Sequence, residues 1–269
     1  MWGDKRVSVV LMTYAERYSI RSVIEGFEAT GVVDEVLVIN NNAEDGTSEE
    51  VAQTGAREVF ETAQGYGNAS RRGLREATGD LIVLAEPDGT FLPADIHKLL
   101  VFSDECDAVF GTRTTRELIW DGANMEWFLR WGNWAVAKLV EALFNTSHLS
   151  DVGCTYRLFS RELAELVAER MEIGGNHAGP EMMLIAITSG ARFVEIPVNY
   201  LPRVGTSSAT GSPAAAVWIG LRMIELIVRF RRRTPRRMLR PARLGVDPEA
   251  GDPAAGPDRP PGEAGRAAA

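Results

Sequence analysis

GDLIVLAEPDGTF, residues 79–91, decides the fold. From Leu81 to Ala85 the residues are all apolar, a run too short for a helix and too uniform for a strand with one wet face. Such a run suits a strand buried on both sides, inside a parallel sheet covered by helices. The predicted strand, Asp80 to Ala85, stops at Glu86-Pro87-Asp88-Gly89, where a charged turn takes over. Two carboxylates one residue apart at such a strand end can present oxygens to one divalent cation, Mg²⁺ or Mn²⁺, together with substrate phosphates. The same four residues are also an ordinary turn composition.

Upstream, the alternation repeats. Val7 to Met12 and Glu35 to Asn40 read as buried strands and Glu58 to Phe60 as a short one, with helical patterns over Ser19 to Thr30, Thr47 to Gln53 and Asn68 to Ala77. Downstream come a helix from Ala94 to Phe102, a strand from Ala108 to Gly111 and an aromatic-rich helix from Met125 to Phe144. Two further helices, Ser160 to Met171 and Pro180 to Ser189, precede a strand from Phe193 to Tyr200. This pattern predicts a single α/β domain with a mainly parallel sheet and helices on both faces, and ligands beyond the carboxyl ends of the strands. Polar residues gather at those ends: Thr13-Tyr14-Ala15-Glu16, Asn40-Asn41, and Glu86-Pro87-Asp88. Gly65-Tyr66-Gly67-Asn68 precedes a helix carrying Arg71, and small residues there let backbone approach a phosphate closely. This pair lies too far along the chain for a dinucleotide fingerprint, which argues against hydride transfer.

The 269 residues carry a net charge of −8 and are 45% apolar, enough for a substantial core. Charge is uneven. Residues 1–213 hold 18 Lys/Arg and 31 Asp/Glu, residues 214–243 hold nine Arg and one Glu, and residues 244–269 hold two Arg and five Asp/Glu. The net charge argues against a general polyanion binder except where positive charge is concentrated, as it is in residues 214–243, and no nucleic-acid partner is expected. Cys106 and Cys154 are too few for a disulfide framework or a thiolate zinc site, so a reducing, cytoplasmic compartment is expected. The N-terminus runs directly into the first strand, without the apolar segment and cleavage site of a leader. His97, His148 and His177 have no metal-ligand spacing.

The order of these motifs resembles the family 2 glycosyltransferases, especially the branch similar to dolichol-phosphate mannosyltransferase and bacterial polyprenyl-phosphate glycosyltransferases. The resemblance covers about residues 5–210. VSVVLMTYAER looks like the family's first strand with P-x-Y-N-E, and INNNAEDGT looks like V-D-D-G-S-x-D-G-T. GYGNASRRG is similar to G-L-G-x-A-x-x-x-G, and GDLIVLAEPDGTF to G-D-x-x-x-x-x-D-x-D. FGTR (110–113), LSDVGCTYRLFSRE (149–162), Glu181 and EIPVNYLPRVGTSS (195–208) continue the match, the last similar to E-V-P-I-x-F-x-x-R-x-G-x-S-K.

The resemblance implies a GT-A-type fold and transfer, with inversion, of a sugar from a nucleotide diphosphate-sugar to a polyprenyl phosphate. It puts Glu86 and Asp88 on Mg²⁺ or Mn²⁺, and Arg203 on the diphosphate or acceptor phosphate. Asp151 lies where the family places an acid near the acceptor, as base or orienter, with Glu181 a second candidate. The nucleotide-sugar would contact Thr13, Tyr14, Glu16, Asn40, Asn41, Gly65, Gly67, Asn68, Arg71, Glu86, Pro87, Arg113 and Arg157, although Arg113 and Arg157 can equally pair with buried carboxylates. Asn40 and Asn41 replace acids, Glu86 replaces Asp, and Ser208 replaces Lys. Transfer to a soluble or glycan hydroxyl, and a non-catalytic nucleotide-sugar-binding scaffold, remain as alternatives.

Residues 214–243 read as a membrane-associating segment, the alternatives being a helix packed on the catalytic domain with a solvated basic extension, or a nucleic-acid contact. Arg222, Glu225 and Arg229 form one polar stripe on a helix otherwise made of residues such as Trp218, Leu221 and Ile224, and a basic run follows. Each such cation is worth about 1 kcal/mol near an anionic leaflet. The expectation is peripheral attachment at the inner membrane face, with residues 244–269 as a disordered Pro/Gly/Ala-rich tail.

Overall fold

The computed structural model describes residues 1–123, 127–205 and 213–235. In chain order the elements are β1 (Val7–Thr13), α1 (Arg17–Glu28), β2 (Glu35–Asn40), α2 (Thr47–Val51), β3 (Arg57–Phe60), α3 (Tyr66–Glu76), β4 (Leu81–Ala85), α4 (Ile96–Leu100) and β5 (Ala108–Thr112). They continue with α5 (Trp127–Phe144), β6 (Arg157–Ser160), α6 (Arg161–Arg170), α7 (Ala178–Ser189), β7 (Phe193–Pro197) and α8 (Pro213–Arg233). The expected start of α5 at Met125 lies outside the described residues, as do Ser207, Ser208, the basic run after residue 235 and the tail.

The strands form one seven-stranded sheet in the order β3-β2-β1-β4-β6-β5-β7. All pairings are parallel except those of β6, which runs antiparallel to β4 and β5. β6 was not expected from the sequence. Its four residues pass directly into α6, where the Ser160 hydroxyl caps the helix by accepting the Leu163 N–H. The strand expected to reach Tyr200 ends at Pro197.

Alternate residues of the buried strands feed two cores. Val10, Ile82, Leu84 and Phe159 pack toward α3, α5, α6 and α7, and Val9, Val83 and Leu158 pack toward α1 and α4. Glu86 continues the Ile82–Leu84 alternation, and Arg157 that of Phe159. α8 is no free segment: Leu226 and Ile227 are buried in the first core, with Met223 and Phe230 packed against it. Its apolar residues therefore divide. Trp218, Leu221 and Ile224 stay exposed, as do Trp131 and Trp134 of α5, the helix against which α8 packs. Among the described residues, no helix is long and apolar enough to cross a membrane.

Candidate functional site

The β4 end meets the segment after β7. Leu201 donates its N–H to the Thr90 carbonyl at 2.8 Å and Val204 to the Asp88 carbonyl at 2.9 Å, so residues 200–204 run beside the turn. That pairing delivers Arg203. One guanidinium nitrogen lies 3.0 Å from Glu86 Oε2 and 2.6 Å from Asp88 Oδ2. Asp88 is fully buried, and its Oδ1 accepts the Thr90 N–H at 2.9 Å and the Thr90 hydroxyl at 2.6 Å. Its Oδ2 faces Arg203 as an ion pair, but no donor among the described residues is aligned to hydrogen-bond it. Burial and then the Asp88 charge push Glu86 up to about 7, against the pull of Arg203. For Arg203 the balance is reversed: burial opposes the charge, and Asp88 and Glu86 outweigh it, raising the pKa. Both carboxylates and their cation thus meet at one corner, with Glu86 and Arg203 each about a quarter exposed.

The β1 end is a closed turn. One Glu16 oxygen accepts the N–H groups of Tyr14 at 2.7 Å and Ala15 at 2.9 Å and the Thr13 hydroxyl at 3.2 Å. Tyr14 is exposed, and the Pro87 carbonyl accepts the Ser19 hydroxyl at 2.7 Å, tying α1 to the β4 turn.

Asn40 and Asn41, expected to read the base, are buried and engaged by the protein itself. The Asn40 amide donates to Glu58 and Ser48 while its oxygen accepts the Ala43 N–H. The Asn41 amide donates to the carbonyls of Glu61 and Ala63, and its oxygen accepts from the Gly65 N–H at 2.7 Å and from Gln64. An aspartate could accept at these sites but not donate, which accounts for asparagine here. Gly65, Gly67, Asn68 and Arg71 are likewise engaged within the chain. The Gly174 carbonyl caps α3 by accepting the Gly67 and Asn68 N–H groups at 2.9 and 3.2 Å. A Cβ on Gly65 would meet that oxygen at 2.2 Å, and one on Gly67 would meet the Ile173 oxygen at 2.1 Å. Asn68 and Arg71 bond each other, and Arg71 also donates to the Met171 carbonyl. The glycines admit the close approach of residues 173–174 of this chain.

Asp151 and Arg113 form a second pair. Asp151 is fully buried, takes both oxygens of a fork from Arg113 Nε at 2.8 Å and Nη2 at 3.0 Å, and accepts the Arg113 and Gly153 N–H groups. Burial opposes its charge, but Arg113 outweighs it and holds the pKa below the usual carboxylate value. In this arrangement all four acceptor positions of Asp151, expected to act as base or orienter, are taken by Arg113 and Gly153. Arg113, whose guanidinium also lies 5.2 Å from the Tyr200 ring, is the carboxylate partner that the sequence left open. Arg157 is neither a diphosphate contact nor a carboxylate partner: it is fully buried and donates to the carbonyls of Val152, Cys154 and Gly179. Glu181 accepts the N–H groups of Glu172 and Ile173 at the start of α7.

Glu195 was missed. From β7 it accepts the Ser150 N–H at 2.7 Å, the Ser150 hydroxyl at 2.6 Å and the Asp151 N–H at 2.9 Å, and so fixes the loop bearing the second pair. Burial pushes it up to about 7 against those bonds. Its place as the charged first residue of EIPVNY, within a predicted strand, was the available signal.

The model of glycosyl transferase family 2 matches residues 8–167, and the chain belongs to that family. An uncharacterized glycosyltransferase of Mycobacterium tuberculosis is 29% identical over 217 residues, 77% of this chain and 90% of the relative. The low-salt glycan biosynthesis hexosyltransferase Agl6 of Haloferax volcanii is 27% identical over 213 residues, 77% of this chain but 50% of its own length. Among solved structures, glucosyl-3-phosphoglycerate synthase of M. tuberculosis, in complex with Mn²⁺, UDP-glucose and phosphoglyceric acid, superposes with a TM-score of 0.66 at 18% identity, over 85% of this chain and 80% of that one. The fold is therefore GT-A-like, a single α/β domain, and the activity class is glycosyl transfer from a nucleotide-sugar.

Proposed function

We propose that this chain moves a sugar from a nucleotide diphosphate-sugar to a polyprenyl phosphate, with inversion, as a member of the dolichol-phosphate mannosyltransferase-like branch at the inner membrane face. One observation carries the choice of acceptor: Asp151, the base that a hydroxyl acceptor needs, is sealed into the Arg113 pair. A phosphate oxygen is already ionised at neutral pH and attacks without a base. The exposed apolar residues of α8 (Trp218, Leu221 and Ile224, with Arg222 over the Trp218 ring) and of the neighbouring α5 (Trp131 and Trp134) support a headgroup-level surface where a lipid acceptor enters.

Glu86 and Asp88 fit a Mg²⁺ or Mn²⁺ ion. The donor set is hard oxygen, Asp88 Oδ2 has an unused lone pair, and the glucosyl-3-phosphoglycerate synthase structures hold Mn²⁺ or Mg²⁺ with UDP. Among the described residues no third acid, His or Cys joins them, so Glu86 and Asp88 would hold the ion together with ligands from outside the protein. The ion, when bound, supplies positive charge to the diphosphate as it departs. Arg203 adds a second fixed cation, and Glu16 and Tyr14 border the nucleotide side.

The test is a radiolabelled transfer assay with Mn²⁺, a panel of UDP-, GDP- and dTDP-sugars, and either a short polyprenyl phosphate or phosphoglycerate. Label extracted into butanol with the lipid supports the proposal. Label only on phosphoglycerate or a glycan overturns the acceptor, and tight nucleotide binding without turnover supports a scaffold instead. Because α8 carries core residues, attachment is tested by Leu221→Glu with Ile224→Glu rather than by deletion: sedimentation with phosphatidylglycerol liposomes falls at least tenfold, and unchanged sedimentation refutes the surface.

A further inference from the structure

Arg203 stands between Glu86 and Asp88, the two residues assigned above to the divalent cation. Its nitrogen reaches Glu86 Oε2 and Asp88 Oδ2 together, at 3.0 and 2.6 Å, and these are the oxygens that would face a metal. Two carboxylates at one buried corner repel each other and need a counter-charge before any ligand arrives. The guanidinium provides it. A divalent ion arriving alone must displace Arg203 into water or sit beside it, cation against cation. Arriving with a diphosphate it meets neither cost, because the diphosphate receives both the ion and the released guanidinium. The backbone on either side of Arg203 is fixed by the Leu201 and Val204 hydrogen bonds, so the exchange needs only the side chain to turn.

We infer that Arg203 is an internal competitor for the metal site, making divalent-ion binding conditional on the nucleotide diphosphate. This inference rests on the metal assignment to Glu86 and Asp88 and adds an order to it: metal and donor enter as a unit. The arrangement also keeps free Mn²⁺ or Mg²⁺ from occupying the corner without a substrate.

Mn²⁺ binding measured by the loss of the free-ion electron paramagnetic resonance signal, with no nucleotide, tests it. Arg203→Met binds Mn²⁺ about ten times more tightly than the wild type, while UDP enhances Mn²⁺ binding to the wild type more than to the variant. Arg203→Lys, which keeps the charge, stays near the wild-type affinity, and Arg203→Gln repeats the measurement if the Met variant melts early. Equal or weaker Mn²⁺ binding by the neutral variants overturns the inference while leaving the metal assignment intact. If Asp88→Asn in the Arg203→Met background leaves tight binding unchanged, or if no variant binds Mn²⁺ even with UDP, the metal assignment itself fails and the inference with it.

Discussion

Two carboxylate–arginine pairs lie at the carboxyl ends of the central strands, alike in chemistry and opposite in completeness. In the Asp151–Arg113 pair the two side chains meet fork to fork, and two backbone N–H groups close the shell. In the Asp88–Arg203 pair a second acid shares the cation, one Asp88 oxygen lacks an aligned donor, and Glu86 is shifted to about 7. A completed pair leaves no acceptor unused, and the incomplete one keeps an unpartnered oxygen, which is what the proposed metal role draws on. Burial alone does not separate them, since both aspartates are fully buried.

Breaking the incomplete pair affects turnover most. Asp88→Asn lowers kcat about 10³-fold while the far-ultraviolet circular dichroism and melting temperature stay close to wild type, consistent with loss of a charge that stabilises the leaving group. Breaking the complete pair affects folding instead. Arg113→Met leaves Asp151 charged, buried and uncompensated, and destabilises the protein by about 3–5 kcal/mol in urea unfolding. If Arg113→Met proves as stable as wild type but inactive, the contrast is void.

Smaller effects sharpen it. Asn41→Asp replaces an amide donor to two carbonyls with a repelling carboxylate, at about 1–3 kcal/mol of stability, and weakens nucleotide binding only as far as the 61–65 loop loosens. Glu195 supplies the pH readout. Its carboxyl is raised to about 7 in the fold, so its stabilisation is complete below the ordinary glutamate value and is lost as pH rises through 7. Between pH 5 and pH 8 the wild type therefore loses melting temperature relative to Glu195→Gln, by about 2–4 °C. A pH-independent difference places the proton elsewhere.

Much of the fold could be read from residue runs. The uninterrupted apolar stretches of β1, β2 and β4 have no alternative to a doubly covered parallel sheet, and the loops after them followed. β6 escaped because four residues ending in a helix cap carry no period, so its reversed direction was invisible as well. At the site, the convergence of Glu86, Asp88 and Arg203 was expected on motif order. What the letters conceal is where each hydrogen bond goes. Asn40, Asn41, Asn68, Arg71 and Arg157 look like ligand contacts in sequence because they are polar and close to strand or helix ends. Asn41, Arg71 and Arg157 donate to carbonyls 20 to 100 residues away, Asn40 to the side chains of Ser48 and Glu58, and Asn68 to the Gln64 carbonyl. α8 shows the same limit, since a helix with apolar residues on two sides gives one composition but two destinations.

The fit of Gly65 and Gly67 against the carbonyls of Ile173 and Gly174 also constrains anyone who would re-engineer this enzyme. Swapping the 65–68 loop for that of a relative transplants half of a lock, because its mate sits more than 100 residues later. Chimeras that exchange both segments together should express, whereas those that exchange one should be recovered as aggregates.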